Sequence, residues 1–237
     1  MPDSIGFFGY WHLALFGVLL PIGAWRSRRR LLADELPPRK AYFVSVIIQQ
    51  LIFLGISIGV AVSLGIPVLG PWRFDLPVAL ASAGLLVGAV FTIRPRWEKQ
   101  VAAGERQVHL VTPTDRTEYG LWAVISMLAG IGEEITYRGV LFAIVTALTG
   151  SPAASVVLCS LAFGAGHLVQ GWQAAAAVVL FAAAFHLIVM ASGSLHLAII
   201  VHAGYDLIAG WTYGRLARSN SFMNDTSAST LFRGQAL

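Results

Sequence analysis

Three short groups of polar side chains interrupt an otherwise apolar chain: Glu133-Glu134-Ile135-Thr136-Tyr137-Arg138, Phe163-Gly164-Ala165-Gly166-His167 and His202-Ala203-Gly204-Tyr205-Asp206. The first lies inside an apolar run from Tyr119 to Leu148. An ionisable side chain at membrane depth costs roughly 2.5 kcal/mol or more, so two carboxylates and a guanidinium together need mutual pairing or a chemical use. On a helix Glu134 and Arg138 are i and i+4, facing neighbours that can form an ion pair, whereas Glu133 points about 100° away. One carboxylate is then structural, and the other is left to project into a cavity and exchange a proton there.

The second group puts His167 at the end of an uncharged helix, beside glycines that let another backbone or a substrate come close. Cys159, Phe163 and His167 share one face through their i, i+4 spacing. In the third group His202 and Asp206 are also i and i+4, so they can hydrogen-bond and the carboxylate can orient the ring. His186 has no acidic neighbour at helical spacing and His196 lies near the start of its run, so both read as packing or interfacial residues. The single Cys159, set in Val156-Val157-Leu158, excludes an internal disulfide and reads as a small buried apolar side chain rather than a nucleophile.

The elements that must position these groups are membrane spans. The 237 residues are 57% hydrophobic and 12% charged, with a mean hydropathy of +0.72, values that exclude an ordinary soluble domain and define a polytopic membrane protein. The sequence pI near 9.6 does not indicate a nucleic-acid partner. The basic residues sit in short loops between apolar runs, where they report topology. Phe7 to Trp25 is long enough to span and is followed by Arg26, Arg28, Arg29 and Arg30, which predicts an anchor rather than a cleaved signal. The positive-inside rule then puts the N-terminus outside and a basic loop, Arg26 to Lys40, in the cytoplasm. Ala41 to Leu64 returns outward, and Pro77 to Ile93 leads back to a second basic loop carrying Arg94, Arg96, Lys99, Arg106 and Arg116.

Beyond it the apolar runs are Tyr119 to Leu148, Pro152 to Val169, Trp172 to Ala191 and Leu195 to Tyr213. Tyr119 to Leu148 would be roughly 45 Å long if wholly helical, so it is one bent, tilted helix or two short segments. One element gives seven spans and a cytoplasmic tail with Arg215, Arg218 and Arg233; two give eight spans and put those arginines outside. The charge pattern favours seven. Residues 1–219 form one integral membrane domain, and the Ser/Thr/Asn-rich segment 220–237 reads as a disordered tail.

In order and spacing, the three groups resemble the three motifs of the CPBP family of intramembrane proteases, which includes the type II CaaX prenyl endopeptidases and bacteriocin-processing and immunity relatives. The third family motif ends in Asn or Asp; here it is Asp206. The resemblance implies an all-α, polytopic transmembrane helical bundle whose site lies inside the bilayer and opens to a water-filled cavity, working as an intramembrane endopeptidase in a bacterial inner membrane on a lipidated or membrane-anchored protein or peptide. It implies Glu133 as general base on a water, His167 positioning that water, and His202 with Asp206 stabilising the oxyanion, with Glu134, Arg138 and Phe163 in support. An ionised Asp206 cannot donate a hydrogen bond, so it acts protonated or through His202.

Glu133, His167 and His202 also make a three-donor set of the kind that holds catalytic zinc. There is no His-Glu-x-x-His pair, and the same residues suffice for glutamate-driven hydrolysis, so the expected reaction needs no cofactor. Two other classes share the pattern: a non-catalytic immunity or scaffold protein of the same fold, and a proton-coupled transporter with Glu133, His167 and His202 as a relay. A transporter predicts internal repeats, and the sequence shows none.

Overall fold

The computed structural model describes residues 5–33, 36–72 and 75–219, all helix and connecting loop with no strand among them. Seven long helices form the bundle among these residues. The first three are α1 (Gly6–Ala33), α2 (Arg39–Leu64) and α3 (Leu76–Ala102). A short helix, α4 (Arg106–Val111), leads into α5 (116–149), and α6 (Pro152–Gly166), α7 (Trp172–Ser192) and α8 (His196–Ser219) complete the described residues. The expected polar tail, 220–237, lies outside the described residues.

Local chemistry sets the helix starts and stops. Asp75, Asp115 and Ser151 each cap a helix by accepting a backbone N–H three residues on, and Pro77 and Pro152 occupy first-turn positions where their missing N–H costs nothing. Gly65, Gly150 and Gly193 end α2, α5 and α7 in the left-handed region.

The expected loop from Arg26 to Lys40 is mostly helix: α1 continues to Ala33 and α2 begins at Arg39. Likewise α3 runs on through Pro95 to Ala102, so Arg94, Arg96 and Lys99 lie on its last turns rather than in a loop. In both cases polar residues extend a helix beyond its apolar part, where water can solvate them.

The ambiguous segment Tyr119 to Leu148 is one continuous element, as a seven-helix bundle requires. It comprises Arg116–Glu133 in α conformation, Glu134–Leu141 in π conformation and Phe142–Thr149 in α conformation again. Within the π stretch the backbone bonds reach i−5, as when the Phe142 N–H meets the Tyr137 carbonyl. A second π stretch, Leu15–Leu19, lies in α1.

Among the described residues four helices, α1, α2, α3 and α7, are long and apolar enough to cross a membrane, and α6 is a shorter apolar helix. The bundle's outer surface is apolar, with Phe91 71%, Leu180 74% and Val62 77% exposed. Such a surface belongs in lipid, and the chain is an integral membrane protein.

Contacts define two ends. At the basic end Arg39 donates to Glu118 at 2.9 Å and to Thr114 at 2.8 Å, while Lys40 pairs with Asp115 at 2.7 Å. Partial burial pushes the Glu118 carboxyl up, but hydrogen bonds from Thr114 and Arg39, and the Arg39 charge, outweigh it and hold the group below its ordinary range. At the opposite end the Leu195 N–H donates to the Leu69 carbonyl at 3.0 Å, joining the α2–α3 and α7–α8 turns.

Two glycines let the site helices touch. A Cβ at Gly130 would stand 2.8 Å from the Ala203 Cβ and 2.9 Å from its backbone nitrogen, and one at Gly164 would stand 2.8 Å from the Ala175 carbonyl oxygen. Small residues are what permit such backbone approach between membrane helices. The Gly130–Ala203 crossing brings His202 of α8 beside the carboxylates of α5.

Candidate active site

The π stretch of α5 begins at Glu134, inside the first motif, and such wide turns recur at functional sites. Glu134 is fully buried, and its Oε1 lies 3.2 Å from Arg138 Nη1, the i, i+4 pair expected from the sequence. The same oxygen also accepts a 2.8 Å hydrogen bond from His202 Nδ1. Glu134 therefore links two helices, a role wider than the pairing with Arg138 alone.

His202 Nε2 faces the other two carboxylates, 3.7 Å from Glu133 Oε2 and 3.7 Å from Asp206 Oδ2. The expected His202–Asp206 hydrogen bond is not made at that distance. The i, i+4 spacing puts the pair on one face, but the shorter bond to Glu134, across the helix crossing, takes Nδ1 and turns the ring. The backbone carbonyl of Asp206 accepts from Trp122 Nε1 at 2.8 Å, which fixes that turn of α8 against α5.

His167 caps the C-terminus of α6, and its Nδ1 bonds to the Phe163 carbonyl at 2.8 Å. A carbonyl only accepts, so Nδ1 carries the proton and a neutral ring keeps Nε2 as an acceptor. Phe163 packs at a tilt against the His167 ring, 4.6 Å between centroids, and lies under the Arg138 guanidinium at 4.4 Å; Phe185 of α7 lies 5.4 Å from the same cation. Two aromatic faces thus help to hold a charge that has almost no access to water. Cys159 is buried in the apolar cluster with Phe163, His186 is buried against Phe142, and His196 meets Trp72 edge-on, so all three keep packing roles.

A cavity of about 340 Å³ runs from Glu133, His167, His202 and Asp206 to Arg96, Gln100 and Tyr213 near the basic end. Its walls also include Leu85, Leu86, Trp97 and Phe181. A polar inner end and an apolar wall would suit a chain segment whose anchor stays in lipid.

The first half of the chain contributes two residues that motif reasoning missed. Gln50 of α2 donates from Nε2 to Glu133 Oε1 at 2.7 Å. Ser57, two turns further along α2, bonds to His12 of α1 at 3.1 Å and to Thr136 of α5 at 2.8 Å. The available signal was an amide and a hydroxyl inside an apolar run, since buried polar groups require partners.

Glu133 and His202 approach each other, and both line the cavity with His167. Among the described residues, however, no three His, Cys, Asp or Glu side chains are arranged to hold a metal ion.

A helical membrane bundle with a Glu, two His and an Asp at the inner end of a cavity is the class of protein that this fold and site define. Residues 115–208 match the family model Rce1-like, described as type II CAAX prenyl endopeptidase Rce1-like. The match spans all three motifs and shows the CPBP resemblance over that segment; at family level it supports a CAAX-type intramembrane protease. No curated protein and no solved structure matches the chain.

Proposed function

We propose that the protein is an intramembrane endopeptidase that hydrolyses a peptide bond of a lipidated or membrane-anchored protein or peptide. The observation that carries this reading is the convergence of Glu133 and Asp206 on His202 Nε2, each at 3.7 Å, at the polar end of an apolar-walled cavity. The Glu133 carboxylate takes a proton from water, and the resulting hydroxide attacks the scissile carbonyl. The His167 Nε2 lone pair, fixed by the bond from Nδ1 to Phe163, accepts from that water and orients it. To stabilise the oxyanion from Nε2, His202 carries a second proton, and Glu134 and Asp206 supply its countercharge once Glu133 holds the proton of the water. Glu133 then returns its proton to the departing amine. Asp206 acts through His202, which suits an acid where an amide would donate directly. Every proton in this sequence moves between the chain's own groups, the water and the substrate.

The basic end, where the cavity arrives, is the proposed cytoplasmic face of the inner membrane. Cleavage of membrane-anchored peptides by purified protein in liposomes tests the reading. Loss of cleavage in Glu133→Ala and His167→Ala is expected. Cleavage unchanged in both variants contradicts the mechanism, and inactivity of the wild type across broad substrates favours a scaffold role.

A further inference from the structure

Glu133 is the proposed base, yet its free oxygen lies only 3.7 Å from His202 Nε2. A carboxylate on three rotatable bonds would close that gap and make a direct ion pair, tying up the lone pair that must meet water. One contact opposes this. Gln50, 8% exposed on α2, holds the other oxygen of Glu133 at 2.7 Å. The donor is a neutral amide, so it fixes the carboxylate without adding a competing cation, as Lys or Arg would.

The surroundings hold the amide in turn. Gly132 packs against it: a Cβ there would be in ordinary contact, 3.6 Å from Gln50 Oε1 and 3.7 Å from Leu54 Cβ, so α2 and α5 lie close together at this level. On the same helix, the Ser57–Thr136 bond at 2.8 Å fixes α2 against α5, one turn beyond Glu133. Thr136 also donates to the Gly132 carbonyl at 2.6 Å, so the backbone preceding Glu133 belongs to the same set of bonds. Gln50 lies outside residues 115–208, and neither the family match nor the three motifs includes it.

We propose that Gln50 is a positioning residue for Glu133, holding one carboxylate oxygen so that the other stays turned to the cavity instead of closing onto His202. The inference rests on the reading of Glu133 as the base.

The test compares Gln50→Leu, which keeps bulk and removes the donor, with Gln50→His, whose Nε2–H reaches about as far as the amide. A hydrogen bond to a charged group corresponds to about a 10- to 100-fold effect, so Gln50→Leu should lose that much kcat on a membrane-anchored peptide in liposomes. KM and melting temperature should stay near wild type, Gln50→His should recover part of kcat, and Gln50→Leu should add nothing to Glu133→Ala. An unchanged kcat, or a loss that comes with a collapsed melting temperature and no recovery in Gln50→His, overturns the inference.

A second readout does not depend on turnover. The infrared carboxylate band that Glu133→Gln removes should shift in Gln50→Leu, and an unshifted band overturns the positioning role even if the enzyme is active. Full activity in Glu133→Gln, by contrast, would overturn the proposed function while the infrared result still decides the Gln50–Glu133 contact.

Discussion

Replacing Glu134 with Gln removes one charge from a pair with almost no access to water: the side chains of Arg138 and Glu134 are 1% and 0% exposed, and their closest atoms are 3.2 Å apart. At that separation and an effective dielectric of about 20, the attraction is about 5 kcal/mol. Breaking a buried pair by removing one partner costs about 3 to 5 kcal/mol, because the remaining charge is buried alone. Glu134→Gln keeps an acceptor for His202 Nδ1, and Glu133 and Asp206 remain 3.7 Å from the same ring, so its effect falls mainly on the pair with Arg138. In detergent micelles, unfolding followed by tryptophan fluorescence should show a loss of about 3 to 5 kcal/mol. Glu134→Gln with Arg138→Met should recover most of it, since no unpaired charge then remains. A loss under about 1 kcal/mol, or a double variant whose loss equals the sum of the two single ones, would refute the reasoning.

Gly130→Ala would place a methyl group 2.8 Å from the Ala203 Cβ, forcing α5 and α8 apart, so both melting temperature and cleavage should fall; Gly204→Ala, whose Cβ has 3.6 Å to Leu86, is the tolerated control. Glu118 has a folded pKa below its ordinary value of 4.5. Its stabilising contribution is therefore complete above 4.5 and is lost as pH falls through the lower folded value, and a pH series of melting temperatures should lose part of its acid limb in Glu118→Gln. Cleavage should survive strong chelation with no zinc in the purified protein; stoichiometric metal that is lost in Glu133→Ala would contradict the proposed steps. A reporter fused after Arg218 should be cytoplasmic, and an external signal there would contradict the proposed orientation.

The sequence disclosed the bundle because apolar runs of span length leave few alternatives. Basic residues also mark one end of it. It did not disclose where polar residues prolong a helix, as at Arg26 to Ala33 and Arg94 to Ala102, since hydropathy reports lipid exposure rather than hydrogen bonding. The three motifs were legible as separate i, i+4 pairs, and Glu134 with Arg138 forms as spacing predicts. His202 with Asp206 does not, because spacing within one helix cannot anticipate a stronger acceptor on another. Glu134 becomes that acceptor only where Gly130 lets α8 cross α5. Gln50 was invisible for a related reason: an amide in a span announces a need for a partner without saying which one.

In the proposed reaction Glu133 activates the water that attacks the peptide bond. Cleavage of an anchored peptide in ¹⁸O-water by the wild type and by Glu133→Gln tests it most directly, because Gln keeps the size and removes the base. The wild type should place one ¹⁸O in the new carboxyl group, and Glu133→Gln should lose at least about 100-fold in kcat, the low end of what a general base contributes. Wild-type rates in Glu133→Gln, with the same ¹⁸O incorporation, would contradict the account.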